Sequence, residues 1–239
     1  MHVGSTGSSR ADRFYTWFGV SFALVVFTGF ARTYYLKLVF GTPALPLLLH
    51  LHGLVMTFWV TLFVVQVRLV ASHRTDLHRA LGVVGAFLAA LVVSLATVAS
   101  IGMARRDTIA HPHSEYPLAL LALQLIGLVL VFAILISVAL YLRRRPDYHK
   151  RLMVLALLRL LPPATTRLPV AFIQRGGVPI LIGIDVVSVL VVVIIDSIKH
   201  RRLHPAFGWG GLLLVASDLL VVLLSGTSAW LRFARWLIA

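Results

Sequence analysis

Cysteine is absent from the 239-residue sequence, and acidic residues are scarce, with eight Asp and Glu against 22 Lys and Arg. The lack of cysteine excludes disulfides, thiolate metal ligands and a cysteine nucleophile, so any protein-bound metal must use histidine or carboxylate. The formal net charge of +14 does not indicate nucleic-acid binding, because the basic residues form no continuous face or stripe. They stand at the ends of long uncharged runs, as is typical of membrane proteins.

Long apolar runs dominate what is present, and 59% of the residues are hydrophobic. Seven stretches predict transmembrane helices, because each is long enough, or nearly so, to cross about 30 Å of hydrocarbon. The fifth is the stretch that follows His149, and charged residues and prolines break it: Arg159, Pro162, Pro163 and Arg167. The other six cover residues 14–31, 38–67, 80–104, 116–142, 178–198 and 205–225.

The expected fold is all-α, an integral membrane protein of about seven transmembrane helices with a four-helix core from helices two to five. One membrane domain covers residues 1–239. Its parts are an N-terminal cytoplasmic tail at 1–13, the core at 44–174, two further spans at 176–225 and an interfacial tail at 228–239.

Thirteen Lys and Arg fall on one side of the predicted membrane and nine elsewhere. This bias predicts a cytoplasmic N-terminus and an external C-terminus.

Two similar sequence words begin two of these helices, RTDLHRAL at 74–81 and RPDYHKRL at 145–152. Asp76 and Asp147 are suitable N-caps for the helices, and the basic neighbours suit the headgroup zone. These roles leave only the histidines of the two words, His78 and His149, unexplained. Each word is preceded by a span that follows a His-x-His triplet, so the pattern predicts a duplicated helical hairpin.

The two triplets are His50-Leu51-His52 and His111-Pro112-His113. In a bundle of helices two to five, their histidines lie at one membrane level and those of the repeated words at another. Facing side chains of diagonal helices can bind one metal between them, so two levels predict two sites. Two imidazoles on one iron are typical of bis-histidine haem b. His50 and His52 lie about 200° apart on a helix, so only one faces the bundle; His52 is preferred, and the choice between His111 and His113 stays open.

Two family resemblances extend this interpretation. The segments VQVRLVASHRTDLHRALG and PDYHKRLMVLALLRLLPPATTRLP resemble a bacterial multi-pass membrane family of unknown function, over residues 48–169. The helix layout resembles the transmembrane di-haem cytochromes b, which include ascorbate-reducible and ferric-reductase members. That resemblance implies one or two b haems, with His52 paired to His113 and His78 to His149. The function expected from the sequence is electron transfer across or within the membrane, with quinone as a candidate redox partner. The expected location is a bacterial inner membrane.

Two other functions remain open on the sequence. Histidines and carboxylates on the predicted cytoplasmic side could hold non-haem iron, as in membrane oxygenases. These residues are His73, His78, His149, His200, His204, Asp76, Asp147 and Asp196. The dense histidine boxes of that class are missing, and Pro205 predicts that His204 lies in a turn. The remaining alternative is a structural or interaction membrane protein without a cofactor.

Four charged residues lie inside the predicted apolar spans, where an unpaired charge is costly. Counting the rise per residue along the helices puts Arg159 at a membrane depth similar to that of Asp218. The same count puts Arg167 at a depth similar to that of Asp185. The simplest interpretation is two ion pairs that lock helices five, six and seven together. A proton or anion path, or arginines that bind haem propionates, is the functional alternative.

Overall fold

A computed structural model describes residues 10–239, without the side chains of residues 10–13 and 178. Residues 1–9 of the predicted N-terminal tail lie outside the described range. The described chain forms helices and no strands, and helices satisfy their own backbone hydrogen bonds inside lipid. The α-helices are α1 (Arg10–Phe30), α2 (Leu47–Ala71), α3 (Thr75–Ala110), α4 (Tyr116–Ala122), α5 (Val131–Tyr141), α6 (Pro146–Leu158), α7 (Pro162–Thr165), α8 (Ala171–His200), α9 (Pro205–Leu224) and α10 (Ser228–Ile238).

Two π-helical segments lengthen these elements. Ala31–Tyr35 continues α1, and Leu123–Leu130 joins α4 to α5 into one long helix. Six helical stretches of the described chain are then long and apolar enough to cross a bilayer, which makes this a membrane protein. They are Phe14–Tyr35, Leu47–Ala71, Thr75–Ala110, Tyr116–Tyr141, Pro179–His200 and Pro205–Leu224.

The predicted fifth span is divided into two short helices, α6 with 13 residues and α7 with four. The break follows from Pro162 and Pro163, which have no backbone N–H to continue the ladder of α6. Together the two helices pass along α1. Near the start of α6, Lys150 lies 5.6 Å from the ring centre of Tyr15, and beyond α7 Arg167 lies 4.7 Å from that of Phe30.

The hydrophobic core is centred on α6. Leu152 and all of residues 154–158 are at most 6% exposed, as expected for a helix that is apolar on every side. Side chains of α1, α8 and α9 pack into the same core as those of α2, α3 and α5. The predicted four-helix core from helices two to five is not confirmed, because side chains from three further helices belong to the same core.

The C-terminal segment forms an amphipathic helix, α10, that packs on α3 and α4. Thr227 caps it by accepting a hydrogen bond from the backbone N–H of Trp230 at 3.2 Å. The indole N–H of Trp230 donates to the Leu118 carbonyl at 2.8 Å. Trp236 is 72% exposed on the opposite face. One buried and one exposed aromatic face suit a helix lying at a membrane interface.

Candidate functional site

The repeated words bring His78 and His149 together. Their ring centroids are 6.4 Å apart and the rings are inclined at 76°. Each histidine lies in the first turn of its helix, since the backbone N–H of His78 donates to the Arg74 carbonyl and that of His149 to the Arg145 carbonyl. The shared local geometry explains why both rings leave α3 and α6 at the same end of the bundle.

The acidic residues of the two words are not N-caps, contrary to the sequence prediction. The caps are Arg74 and Arg145, and neither makes a side-chain capping hydrogen bond. Asp76 and Asp147 lie inside the first turn, where a negative charge complements the helix dipole. Asp147 also lies 3.1 Å from the Lys150 ammonium group.

The orientation of the His149 ring is set by α5. Its Nδ1 lies 2.8 Å from the backbone carbonyl oxygen of Ala139, a fully buried residue. A carbonyl oxygen only accepts, so Nδ1 carries the proton and donates. In the neutral imidazole this leaves the Nε2 lone pair free. Metal-binding histidines are typically held by such a hydrogen bond from their second nitrogen.

Two buried polar atoms at and near His78 lack hydrogen-bond partners. The Nδ1 of His78 is buried without a hydrogen bond, and so is the Oε1 of Gln66 on the adjacent α2. Gly82, one turn after His78, leaves space there, because an added Cβ would meet only the Gln66 amide nitrogen at 3.9 Å. Buried polar atoms without partners call for an explanation, and a bound group is one of the usual ones.

No third metal ligand joins this pair. Within the described residues, no three His, Asp or Glu side chains are grouped so as to hold a metal ion. The non-haem iron grouping is dispersed. His73 is exposed at a positive φ of 59°, and the His200 ring lies 3.3 Å from the Asp196 carboxylate. His204 packs against Tyr148 with ring centroids 4.7 Å apart.

His204 is engaged locally rather than with the other histidines. Its side chain caps α9 by accepting the backbone N–H of Ala206 at 3.2 Å. Burial lowers the pKa of the His204 imidazole from its ordinary value, and the nearby charge of Arg151 lowers it further. A neutral ring with its Nδ1 lone pair on a backbone N–H fits a capping role.

The outer histidines do not form the predicted pair. His52 is half-buried with an unpartnered Nδ1, whereas His113 is exposed in the turn between α3 and α4. No ring contact between them occurs in the described part of the chain. His50 and His111 are also exposed. The turn after α3 leaves both of its histidines exposed, so the structure does not bring the expected outer pair together.

A buried ion cluster lies deeper in the bundle, around Arg159 at the end of α6. Its Nη2 is 2.6 Å from Asp218 Oδ1, and its Nη1 is 3.0 Å from Asp185 Oδ2. Its Nε–H donates to the carbonyl oxygen of Gly127 in the π-helical segment. The partners predicted by depth counting, Arg159 and Asp218, are therefore in contact.

The predicted Arg167–Asp185 pair is wrong, because Asp185 is bound to Arg159. Arg167 instead lies over the ring of Phe30 and donates to the carbonyl oxygen of Pro163. A constant rise per residue holds only within one continuous helix. The break after α6 shifts Arg167 out of the register that such a helix would have.

The sequence interpretation missed a second buried ion pair. Arg151 binds Asp196 through two parallel hydrogen bonds of 2.8 and 2.9 Å, and the side chains are 2% and 3% exposed. The place of Arg151 in the repeated word predicts a headgroup-facing side chain, whereas the structure buries it. Asp196 was the available signal, since a carboxylate within the apolar run of α8 requires a cationic partner.

Comparison with known proteins finds no matching family model, no matching curated protein and no matching solved structure. The two resemblances drawn from the sequence therefore stay expectations.

Proposed function

We propose that this membrane protein binds one b-type haem, with His78 and His149 as the two axial ligands. The close approach of the two rings carries the proposal. Two imidazoles on opposite sides of one metal, each about 2.0–2.1 Å from it, would place their ring centroids about 6 Å apart. The centroids of His78 and His149 are 6.4 Å apart.

The absence of a third ligand in the described residues favours haem over a non-haem metal. Zinc and non-haem iron sites need three or more protein ligands. A porphyrin supplies four nitrogens itself, so two histidines complete the coordination. The hydrogen bond from His149 to the Ala139 carbonyl, the unpartnered Nδ1 of His78 and the space at Gly82 fit such a group. The exposure of His113 argues against the second haem.

A bound haem supplies one-electron redox chemistry, and electron transfer is the activity that we propose, with quinone as the candidate partner. His78 and His149 would hold the iron, and the Ala139 carbonyl would keep the His149 ring in place. In the proposed topology, the N-terminus is cytoplasmic and the C-terminus is outside a bacterial inner membrane. The passage of α6 and α7 along α1 supports a seventh, broken crossing.

The absorption spectrum of protein purified from haem-replete cells tests this function. We expect a Soret band that shifts on reduction with dithionite. His78→Ala and His149→Ala should each remove the bis-histidine spectrum, and the double variant should resemble the single ones, because both ligands are needed. His50→Ala is the matched control, since His50 is exposed and should leave the spectrum unchanged.

His149→Met keeps the test informative if the alanine variants fail to fold. Methionine is itself a haem ligand, so this variant should retain haem with an altered spectrum and a higher reduction potential. A colourless wild-type preparation would overturn the proposal and favour a cofactor-free structural protein. An unchanged spectrum in the double alanine variant would overturn the assignment of the ligands.

A further inference from the structure

The ion cluster at the end of α6 contains more acid than base. Arg159, Asp185 and Asp218 come from α6, α8 and α9, and their side chains are only 1–5% exposed. One guanidinium group neutralises one carboxylate. Within the described residues, no other basic side chain forms a salt bridge with either aspartate. If both aspartates were ionised, the cluster would hold an uncompensated negative charge in an apolar interior.

The unused hydrogen-bonding capacity lies on the two aspartates. Asp185 Oδ1 and Asp218 Oδ2 are both buried and have no hydrogen-bond partner. Their other oxygens lie on neighbouring nitrogens of the same guanidinium group. The two carboxyl groups are therefore held side by side on one guanidinium group.

Arg159 is fixed and cannot supply further compensation. Its Nε–H is committed to the Gly127 carbonyl, and an added Cβ at Gly127 would lie only 2.9 Å from Arg159 Nη2. The guanidinium group is thus held between the π-helical segment and the two aspartates. Arginine also stays protonated in proteins, so its own charge cannot increase. The missing positive charge must therefore bind at the carboxylates.

We propose that Asp185 and Asp218 together hold one proton at neutral pH, forming an Asp–Arg–Asp proton site inside the membrane. A hard metal cation such as Ca²⁺ or Mg²⁺ takes about six or more oxygen ligands, and only two carboxylate oxygens are free here. A proton needs only one oxygen pair, and it converts an unpaired acceptor into a donor. This proposal does not rest on the haem proposal.

Infrared spectroscopy of the whole protein, in detergent and potassium buffer, tests the proton site. Wild type should show the carbonyl stretching band of a protonated carboxyl group at neutral pH, shifted in D₂O. Asp185→Asn and Asp218→Asn should each abolish the band, because the remaining aspartate then pairs one-to-one with Arg159 as a carboxylate. Asp107→Asn is the control, since Asp107 is half-exposed and should leave the band in place.

Thermal unfolding supplies a second readout. Asparagine resembles a protonated aspartate, so either single variant should change Tm little, whereas the double variant leaves Arg159 unpaired and should lower Tm by far more than the sum. Asp185→Glu should keep the band but shift its frequency. The proposal is overturned if wild type shows no protonated carboxyl band, if the band persists in both asparagine variants, or if replacing potassium with sodium removes it.

Discussion

Two buried arginines at different places along α6 pair with different numbers of buried carboxylates. This difference decides what each cluster can do. Arg151 meets one buried carboxylate, that of Asp196, through two parallel hydrogen bonds, and its second acidic neighbour, Asp147 at 3.6 Å, is exposed. Arg159 meets two, from Asp185 and Asp218. A one-to-one bidentate pair is electrically complete, so its role is to join helices. A one-to-two cluster needs a further positive charge.

Arg151 and Asp196 should therefore be strongly interdependent. Removing either partner leaves a buried charge without its bidentate partner. Arg151 would keep only Asp147 at 3.6 Å, and Asp196 only the His200 ring at 3.3 Å. Arg151→Met or Asp196→Leu alone should therefore cost about 3 kcal/mol of unfolding free energy. The double variant should recover much of that loss, because apolar residues of similar size replace the pair. Thermal unfolding of the four proteins in detergent measures the coupling. Additive losses would show that the pair is energetically unimportant.

At the scale of helices, the short α7 is held by a close contact with α1. An added Cβ at Gly29 would overlap the backbone carbonyl oxygen of Ala164. Small residues at helix crossings in membranes let backbones approach in this way. The contact lies just after the Pro162–Pro163 break, where α7 cannot rely on a long hydrogen-bond ladder of its own. Packing on α1 therefore stabilises the broken segment.

Gly29→Ala should destabilise the protein by about 1–3 kcal/mol, because one extra methyl group forces α1 and α7 apart. Gly102→Ala is the matched control within a helix. A Cβ there meets nothing closer than 3.8 Å, so the substitution should be neutral or slightly stabilising through helix propensity. Thermal unfolding of both variants decides the matter. Equal effects would mean that the Gly29 crossing carries no special constraint.

For the whole molecule, the main topological question is whether α6 and α7 together cross the bilayer. If they do, Arg144 before α6 and Val170 after α7 lie on opposite sides. The lack of native cysteine makes single-cysteine labelling direct. Arg144→Cys should react only with a reagent on the cytoplasmic side of sealed vesicles, and Val170→Cys only from the other side.

Ser72→Cys and His113→Cys serve as controls, because they flank α3, a continuous helix of 36 residues. They should be labelled from opposite sides in the same vesicles. Labelling of Arg144→Cys and Val170→Cys from one side would show that α6 and α7 form a re-entrant segment.

Much of this organisation is readable in local sequence. Apolar length alone predicts the six continuous spans, since the bilayer requires it wherever the segment lies. Pro162 and Pro163 predict the break, because a missing N–H acts within one turn. The matched words predict equivalent positions for His78 and His149 in their helices.

The partners of the charged and polar side chains depend on tertiary packing. Asp185 binds Arg159 rather than Arg167, Arg151 turns inward, and His113 stays outside the bundle. None of these outcomes follows from spacing along the chain, because each depends on how helices distant in sequence rotate and cross. Those rotations are set by many small packing contacts acting together. The sequence by itself therefore determines which six stretches are long and apolar enough to cross a bilayer, whereas the tertiary structure decides which of their side chains meet.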